Sequence, residues 1–339
     1  MNIQEHISLA PFTTFRIGGP ARVFVEAHSE EDIQAAIALA RDRGLPLYAL
    51  GAGSNVLVPD AGVEGVVLRV CVDGLLFEDA GDSELLVGGA GTPWEEVVDA
   101  VALRGVFGIE NLAGIPGTLG GAAVQNIGAY GVELSSVFAY ADVVDSKTGD
   151  ARRVDAREAA FAYRTSLFKE HRTLIIVRVA LRLAKKGQLN TAYADLARVQ
   201  AEGTFLATLV DVVREVRVIR AAKFPSLLEE GTAGSFFKNP IIPNEQALEL
   251  AQRFPGLPVF PQKDGTAKVS LAWLLDHALS LKGYASGNVR LYEKQPLVMV
   301  ARDGATGAEV DAFAMYVSER VFAETGIVIE REVETFGMR

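Results

Sequence analysis

A mixed α+β fold in two or three domains is what this chain predicts, and three observations carry that expectation. Its 339 residues are more than a single core usually serves. Strand-like and helix-like periodicities alternate along it, beginning with a βαβ-like unit at 21–50. Clusters of glycine and other small residues recur at 18–20, 51–55, 88–93 and 108–131, too many in one region to read as independent turns. Together they suggest an extended cofactor lying against exposed backbone.

Composition narrows the classes. Hydrophobic residues at 49% and charged residues at 22% are ordinary globular usage. A net charge of −10 argues against a nucleic-acid binder, which needs a concentrated basic face. Cys71 is the single cysteine, which excludes an intrachain disulfide and a cysteine-held zinc or iron–sulfur cluster. No stretch reads as a signal peptide or a bilayer span, so the expectation is a cytoplasmic protein with no membrane partner. HExxH, CxxC and Walker patterns are missing, and no metal is expected.

Taken in order, Thr13–Pro20 is turn-rich, and Arg16 beside two glycines can meet an anion or simply sit on a surface loop. Ala21–Ala27 reads as a strand. Ser29 caps a helix with Asp32 as a short-armed capping box, Ile33, Ala36, Ile37 and Ala40 form its apolar face, and Gly44 ends it. Leu47–Leu50 is the next strand and runs into Gly51-Ala52-Gly53-Ser54-Asn55. The third glycine of a dinucleotide fingerprint is missing there, because position 56 is Val and no helix follows. What survives is a short loop able to donate several hydrogen bonds to phosphate.

Gly65–Val70 and Glu84–Val87 read as strands, and Pro93 suits the first position of a helix over Trp94–Leu103. The run from Gly108 to Gly131 is too loose for a helix and too poor in β-branched residues for a strand. It reads as loops whose bare amides face a bulky anion, or as a tightly packed loop with no ligand. Phe138–Asp145, Ala151–Val154 and Leu174–Leu183 read as strands, Asp155–Phe161 as a short helix, and 185–203 as an irregular functional loop holding Tyr193 and Asp195. Phe205–Ala222 is helical, with Arg214, Arg217 and Arg220 on what is usually a solvated face.

Gly231–Pro240 places Ser235 between a glycine and two phenylalanines, in a partly dry setting beside a cation. No G-x-S-x-G surrounds it, so a hydroxyl that hydrogen-bonds or donates a proton fits better than a hydrolytic nucleophile, with an inert packed serine as the plain alternative. Residues 244–283 read as helical with an interruption at 255–265, Val298–Ala301 as a strand and Gly307–Thr325 as a helix released by Gly326. Ile327–Thr335 reads as a final strand with Glu330, Glu332 and Glu334 on one face.

Together TTFRIGGPA, ALGAGSNVLV, GIENLAGIPGTLGGAAVQNIGAYG, AYRTSLFK, GSFFKNP and the terminal Glu332-Val333 resemble the UDP-N-acetylenolpyruvoylglucosamine reductase family, also called UDP-N-acetylmuramate dehydrogenases. The segment around Tyr193 is similar to the loop of the family's longer form. The resemblance implies non-covalent FAD, NADPH as co-substrate, and a two-part fold like the vanillyl-alcohol-oxidase (PCMH-type) flavoproteins plus a smaller α+β substrate-binding domain. The implied boundaries are 1–65, 66–223 and 224–325, with 326–339 returning to the core.

It further implies hydride delivery from flavin N5 to C3 of the enolpyruvyl group. Arg164 and a protonated Glu332 would stabilise the resulting enolate, and Ser235 would protonate C2. Flavin-binding positions would be Arg16, Gly51, Ala52, Gly53, Ser54, Asn55, Gly114, Ile115, Pro116, Gly117, Gly120, Gly121, Asn126, Gly128, Ala129 and Tyr130. Substrate-binding positions would be Tyr163, Tyr193, Lys223, Asn239 and Gln295, although Pro296 directly after Gln295 departs from the family pattern. A monomer is expected. A flavin oxidase of the same fold is the second reading, disfavoured because His28 and Cys71 stand near no cluster suggesting a flavin tether.

Overall fold

The computed structural model describes residues 2–338 and divides into two compact units. The first comprises the N-terminal strand, Ala21–Ala52 and Val63–Ala221; the second comprises Ser8–Pro20, Gly53–Gly62 and the chain from Ala222 onward.

Two sheets build the first unit. One is four-stranded, in the order Asn2–Ser8, Pro20–Ala27, Val63–Val70, Leu47–Leu50. Val63–Val70 pairs in parallel with both of its neighbours, so it separates the two strands of the expected βαβ-like unit. Gly65 allows this insertion, because a Cβ there would lie 2.7 Å from the Pro46 carbonyl oxygen. The helix Glu30–Asp42 buries Ile33, Ala36, Ile37 and Ala40, as its periodicity requires. Ser29 Oγ accepts from the Asp32 amide at 3.2 Å. The short Asp32 arm accepts from His28 N rather than from the cap residue, and that hydrogen bond lowers the Asp32 pKa.

The other sheet is antiparallel, in the order Ala151–Asp155, Phe138–Asp145, Leu174–Ala184, Ser83–Gly89, Leu75–Ala80. Pro93 is the cap of the helix Trp94–Arg104 and not its first residue, with ψ at 131°. Four more expectations change here. The glycine run contains a helix, Leu119–Gln125, because Thr118 Oγ1 captures the Gly121 amide and so provides an N-cap. Asp155–Phe161 is not helical. The Asp155 carboxylate takes the Arg157 and Glu158 amides at 2.9 and 2.8 Å, and Ala160 turns to φ 46°. Residues 185–203 are not wholly irregular, since Ala194–Ala201 is a helix that buries Leu196 and Val199. The following helix starts at Leu209 rather than Phe205, where Thr208 and Asp211 bond reciprocally as a capping box.

In the second unit a four-stranded antiparallel sheet runs Gly231–Ser235, Val298–Ala301, Val289–Leu291, Ala285–Ser286. The expected helical stretch 244–283 is broken up. Asn244–Arg253 is a helix, and the three-stranded sheet of Ile241–Pro243, Thr266–Val269 and Val259–Pro261 occupies the interruption and its flanks. Leu271–Trp273 is a single helical turn that widens into a π turn at Leu274–Ala278. Gly307–Thr325 is helical over the expected span, entered by a capping box at Thr306 and left through Gly326 at φ 69°. The final strand is shorter than expected. Only Glu334–Thr335 joins a ladder, parallel to Val56–Leu57, while Arg331 makes one bridge to Phe237.

Candidate active site

The loop Gly51–Asn55 presents five consecutive main-chain amides that donate to no other group among the described residues. Its carbonyls are held. Gly53 O accepts from Thr14 N at 3.1 Å, Asn55 O accepts from Glu334 N at 3.1 Å, and Asn55 Nδ2 donates to the Glu332 carbonyl at 3.1 Å. Gly53 sits at φ 63°, and a Cβ there would come within 2.2 Å of Phe12 O. The loop is fastened through its acceptors and leaves its donors outward, which is the arrangement an anion requires.

A second donor group follows in the glycine run. The amides of Ile115, Gly117 and Thr118 likewise have no acceptor among the described residues. Gly114, at φ 73°, is pinned on both sides: its N–H donates to the Glu95 carboxylate and its carbonyl accepts from Arg220 Nε at 2.8 Å. Several glycines answer to the chain's own packing. A Cβ on Gly51 would meet Thr118 Oγ1 at 2.9 Å, and one on Gly120 would meet Ala90 Cβ at 2.8 Å. The packed-loop reading therefore holds for these glycines, while the amides of Ile115, Gly117 and Thr118 remain available as donors. Asn126 is buried with its side chain fully used, donating to Glu133 and the Ala162 carbonyl and accepting from Ser135 N. Any contact it makes with a cofactor uses its backbone. The Arg16 guanidinium donates to the Leu227 carbonyl. Pro116 and Gly121 are exposed, Ile115 and Gly128 half-buried, and Ala129 pairs with Val132 in a two-residue hairpin.

Arg164 stands in a tight turn at φ 56°. Its guanidinium donates to the Gly128 carbonyl at 2.9 Å and lies 5.3 Å from the Tyr163 ring. Lys169 Nζ ties the turn down by donating to Arg164 O at 3.1 Å and to Gln125 Oε1 at 2.8 Å. Sequence reasoning gives Arg220 no role in the site. The solvated reading of its helix face holds for Arg214, which is exposed, and fails for Arg220, which is half-buried between Gly114 O and the Tyr130 hydroxyl, with the Arg164 charge nearby. Burial presses its pKa down, while Tyr130 and Glu95 oppose that. Arg217 is held by Glu95 and Asp99. The Tyr130 pKa is raised by burial. Its ring meets Tyr193 edge-on, with centroids 5.2 Å apart.

In the second unit Ser235 ends its strand half-buried, and its Oγ makes no hydrogen bond among the described residues. Phe236 and Phe237 beside it are each about 1% exposed, which supplies the expected dry wall. Glu332 N donates to Phe236 O at 2.8 Å, so one peptide links the serine segment to the glutamate segment. The three glutamates differ. Glu330 is exposed and pairs with Lys238 at 3.0 Å, whereas Glu332 and Glu334 are half-buried. The cation expected beside Ser235 is thus engaged with Glu330.

Lys223 is the last residue of its helix and half-buried. Asn239 Oδ1 accepts from Leu271 N at 3.0 Å. Gln295 closes the turn before Val298–Ala301, its carbonyl accepting from Val298 N at 2.9 Å and its Oε1 from Leu297 N at 3.3 Å. Pro296 lies buried within that turn.

Comparison with known proteins bears directly on this arrangement. Residues 21–155 match an FAD binding domain, and residues 226–336 match the C-terminal domain of UDP-N-acetylenolpyruvoylglucosamine reductase. The reductase of that name from Pseudomonas aeruginosa is 43% identical over 335 residues, covering 98% of each chain. The chain belongs to the UDP-N-acetylenolpyruvoylglucosamine reductase family. The Shewanella baltica reductase is 38% identical over 97% of this chain and 96% of its own. The crystal structure of the Thermus caldophilus reductase superposes with a TM-score of 0.70 at 25% identity, covering 99% of both chains. All eight amides without an acceptor lie within the FAD-binding match, and Ser235, Asn239, Gln295 and Glu332 lie within the reductase C-terminal match. Arg164, Tyr193 and Lys223 fall between the two matched segments. The outward amides suit the diphosphate of FAD, so the donor set fits the cofactor of the family. No helix among the described residues is long and apolar enough to cross a membrane.

Proposed function

We propose that this chain reduces UDP-N-acetylglucosamine enolpyruvate to UDP-N-acetylmuramate in peptidoglycan precursor synthesis, with NADPH as the electron source. Bound FAD supplies the hydride chemistry, and the amides of Gly51–Asn55 and of Ile115, Gly117 and Thr118 hold its phosphates. The observation that carries the reading is the fastening of Glu332 to Phe236, the neighbour of Ser235, inside the segment matched by the reductase domain.

The chain's own residues then have separate tasks. Hydride addition at the vinyl CH₂ leaves negative charge spread from the α-carbon into the carboxylate. Arg164 meets that charge with a fork of donors, held in direction by Gly128 O and by the tie from Lys169. Glu332, when protonated, donates a further hydrogen bond to the same carboxylate. Ser235 Oγ has no competing partner among the described residues and gives its proton to the α-carbon, which balances the addition of H⁻ and H⁺ across the double bond. Tyr163, Lys223, Asn239 and Gln295 contact the substrate, with Lys223 facing its diphosphate, and Tyr193 covers it. Arg16 assists the cofactor. Residues 224–325 form the substrate-binding part. The reading takes the enzyme as a monomer, working in the cytoplasm where NADPH is supplied.

Anaerobic stopped-flow at the flavin band tests this. Enzyme reduced with NADPH should be reoxidised rapidly by the enolpyruvyl substrate. Ser235→Ala should slow that half-reaction by roughly 10²–10⁴ while leaving reduction by NADPH unchanged. No reoxidation of the unmutated enzyme would overturn the substrate assignment and favour an oxidase of the same fold.

A further inference from the structure

Asn111 is the most completely buried polar side chain that the mechanism leaves unused. It is 0% exposed, at the centre of the 3-10 turn Glu110–Leu112. Its Nδ2 donates both hydrogens to main-chain carbonyls from distant segments, to Tyr130 O at 3.0 Å and to Asn190 O at 2.9 Å. Its Oδ1 is buried and accepts nothing among the described residues. The orientation is therefore set by the two carbonyls alone, since the flipped amide would place oxygen against oxygen. Leaving a buried acceptor without a donor costs stability, so holding both carbonyls outweighs that cost.

The two carbonyls belong to segments that meet again through their aromatic rings. Tyr130, at φ 48°, packs edge-on against Tyr193, three residues beyond Asn190. The Tyr130 hydroxyl is itself bonded to the half-buried Arg220. Tyr193 remains 45% exposed, so its own burial does not fix its place. Residues 186–193 form no regular element, and the helix that follows begins only at Ala194. The segment carrying Tyr193 leaves the core at Leu189, and beyond that point it is held by the Asn111 amide at Asn190 and by the Tyr130 ring at Tyr193.

We propose that Asn111 is a positioning residue that, by clamping the carbonyls of Tyr130 and Asn190 together, sets the Tyr193-bearing segment in its working place. This rests on the reading that Tyr193 covers the substrate. Asn111 touches neither substrate nor cofactor in this role; it acts through Tyr130 and Asn190. Removing its donors frees Asn190 and lets residues 186–193 open, while the core around it, which includes Ile109 and Leu112, stays packed.

Hydrogen exchange on the FAD-loaded enzyme, combined with steady-state kinetics, tests the proposal. In Asn111→Leu, amides of 187–193 should exchange at least tenfold faster with the rest of the first unit unchanged. KM for the enolpyruvyl substrate should rise about tenfold, and flavin reduction by NADPH should keep its rate. Asn111→Ser is the second variant, small and polar enough for the site but too short to reach both carbonyls. Unchanged exchange in either folded variant overturns the proposal, and so does unfolding of both, which would make Asn111 a strut of the whole unit. Tyr193→Leu separates the two readings: if its KM is normal while Asn111→Leu still loosens the segment, the clamp stands and the substrate role of Tyr193 falls.

Discussion

Within residues 21–155 the groups turned outward are main-chain amides, set in place by residues that bond their carbonyls or crowd their glycines. Within residues 226–336 the candidate groups are half-buried side chains, Ser235 and Glu332, set in place by main-chain pairing at Phe236. The first solution suits a large, permanent ligand, because many weak donors spread over a long contact need no moving parts. The second suits a reacting atom, because a hydroxyl and a carboxyl can change protonation and a peptide cannot. Arg164 lies between the two segments and follows the second pattern, with its backbone held so that one side chain has a defined direction.

The contrast can be tested from its strongest consequence downward. Glu332→Ala should slow substrate-driven reoxidation of the reduced enzyme by roughly 10²–10³, the usual loss for one donor to a developing oxyanion. Glu332→Gln keeps a neutral donor of the same shape and should retain more of the rate, in single-turnover mixing. Equal losses in the two variants would make Glu332 a proton carrier and not a donor.

Neighbouring glycines in the first unit should respond with opposite sign. Gly120→Ala drives a Cβ to 2.8 Å from Ala90 Cβ and should destabilise by about 1–3 kcal/mol in urea titration. Gly121→Ala faces only Thr118 Oγ1 at 3.4 Å and replaces a poor helix former, so it should be neutral or stabilising by up to about 1 kcal/mol. Matching losses at both would mean that the run is shaped by its ligand and not by its own packing. The smallest effect belongs to Thr306→Ala, which removes the cap of Gly307–Thr325. It should cost about 1 kcal/mol in thermal unfolding and leave both half-reactions at their normal rates.

What the sequence made legible follows the same division. Arg164, Ser235 and Glu332 could be proposed from sequence because polar side chains stand out in short motifs. The helix Gly307–Thr325 could be bounded to the residue because a threonine cap and a terminal glycine mark its ends. Backbone arrangements were harder to see. The helix at Leu119–Gln125 hid in a run of small residues, since its one local signal is the Thr118 cap. Strands of three or four residues such as Ile241–Pro243 and Thr266–Val269 are too short to show alternation. The terminal stretch does alternate, burying Ile327, Ile329 and Val333, but alternation reports burial and not pairing. Arg220 was read as solvated and Asn111 went unmarked because polar residues look alike on paper whether they meet water or a carbonyl.

The division of the chain into two units has a consequence for its birth. The second unit takes its first piece from Ser8–Pro20 and its last from the far end, with Thr232 N bonded to Thr14 O and Phe336 N to Leu57 O. A ribosome adds about 5–20 residues per second, so the opening segment waits on the order of tens of seconds for its partners to be made. The first unit is complete at Ala221, shortly before Thr232 and well before Phe336 are made. Its early segments can assemble while the second is still incomplete, and a transcript cut short leaves Phe15 without the buried neighbours Phe236 and Phe237.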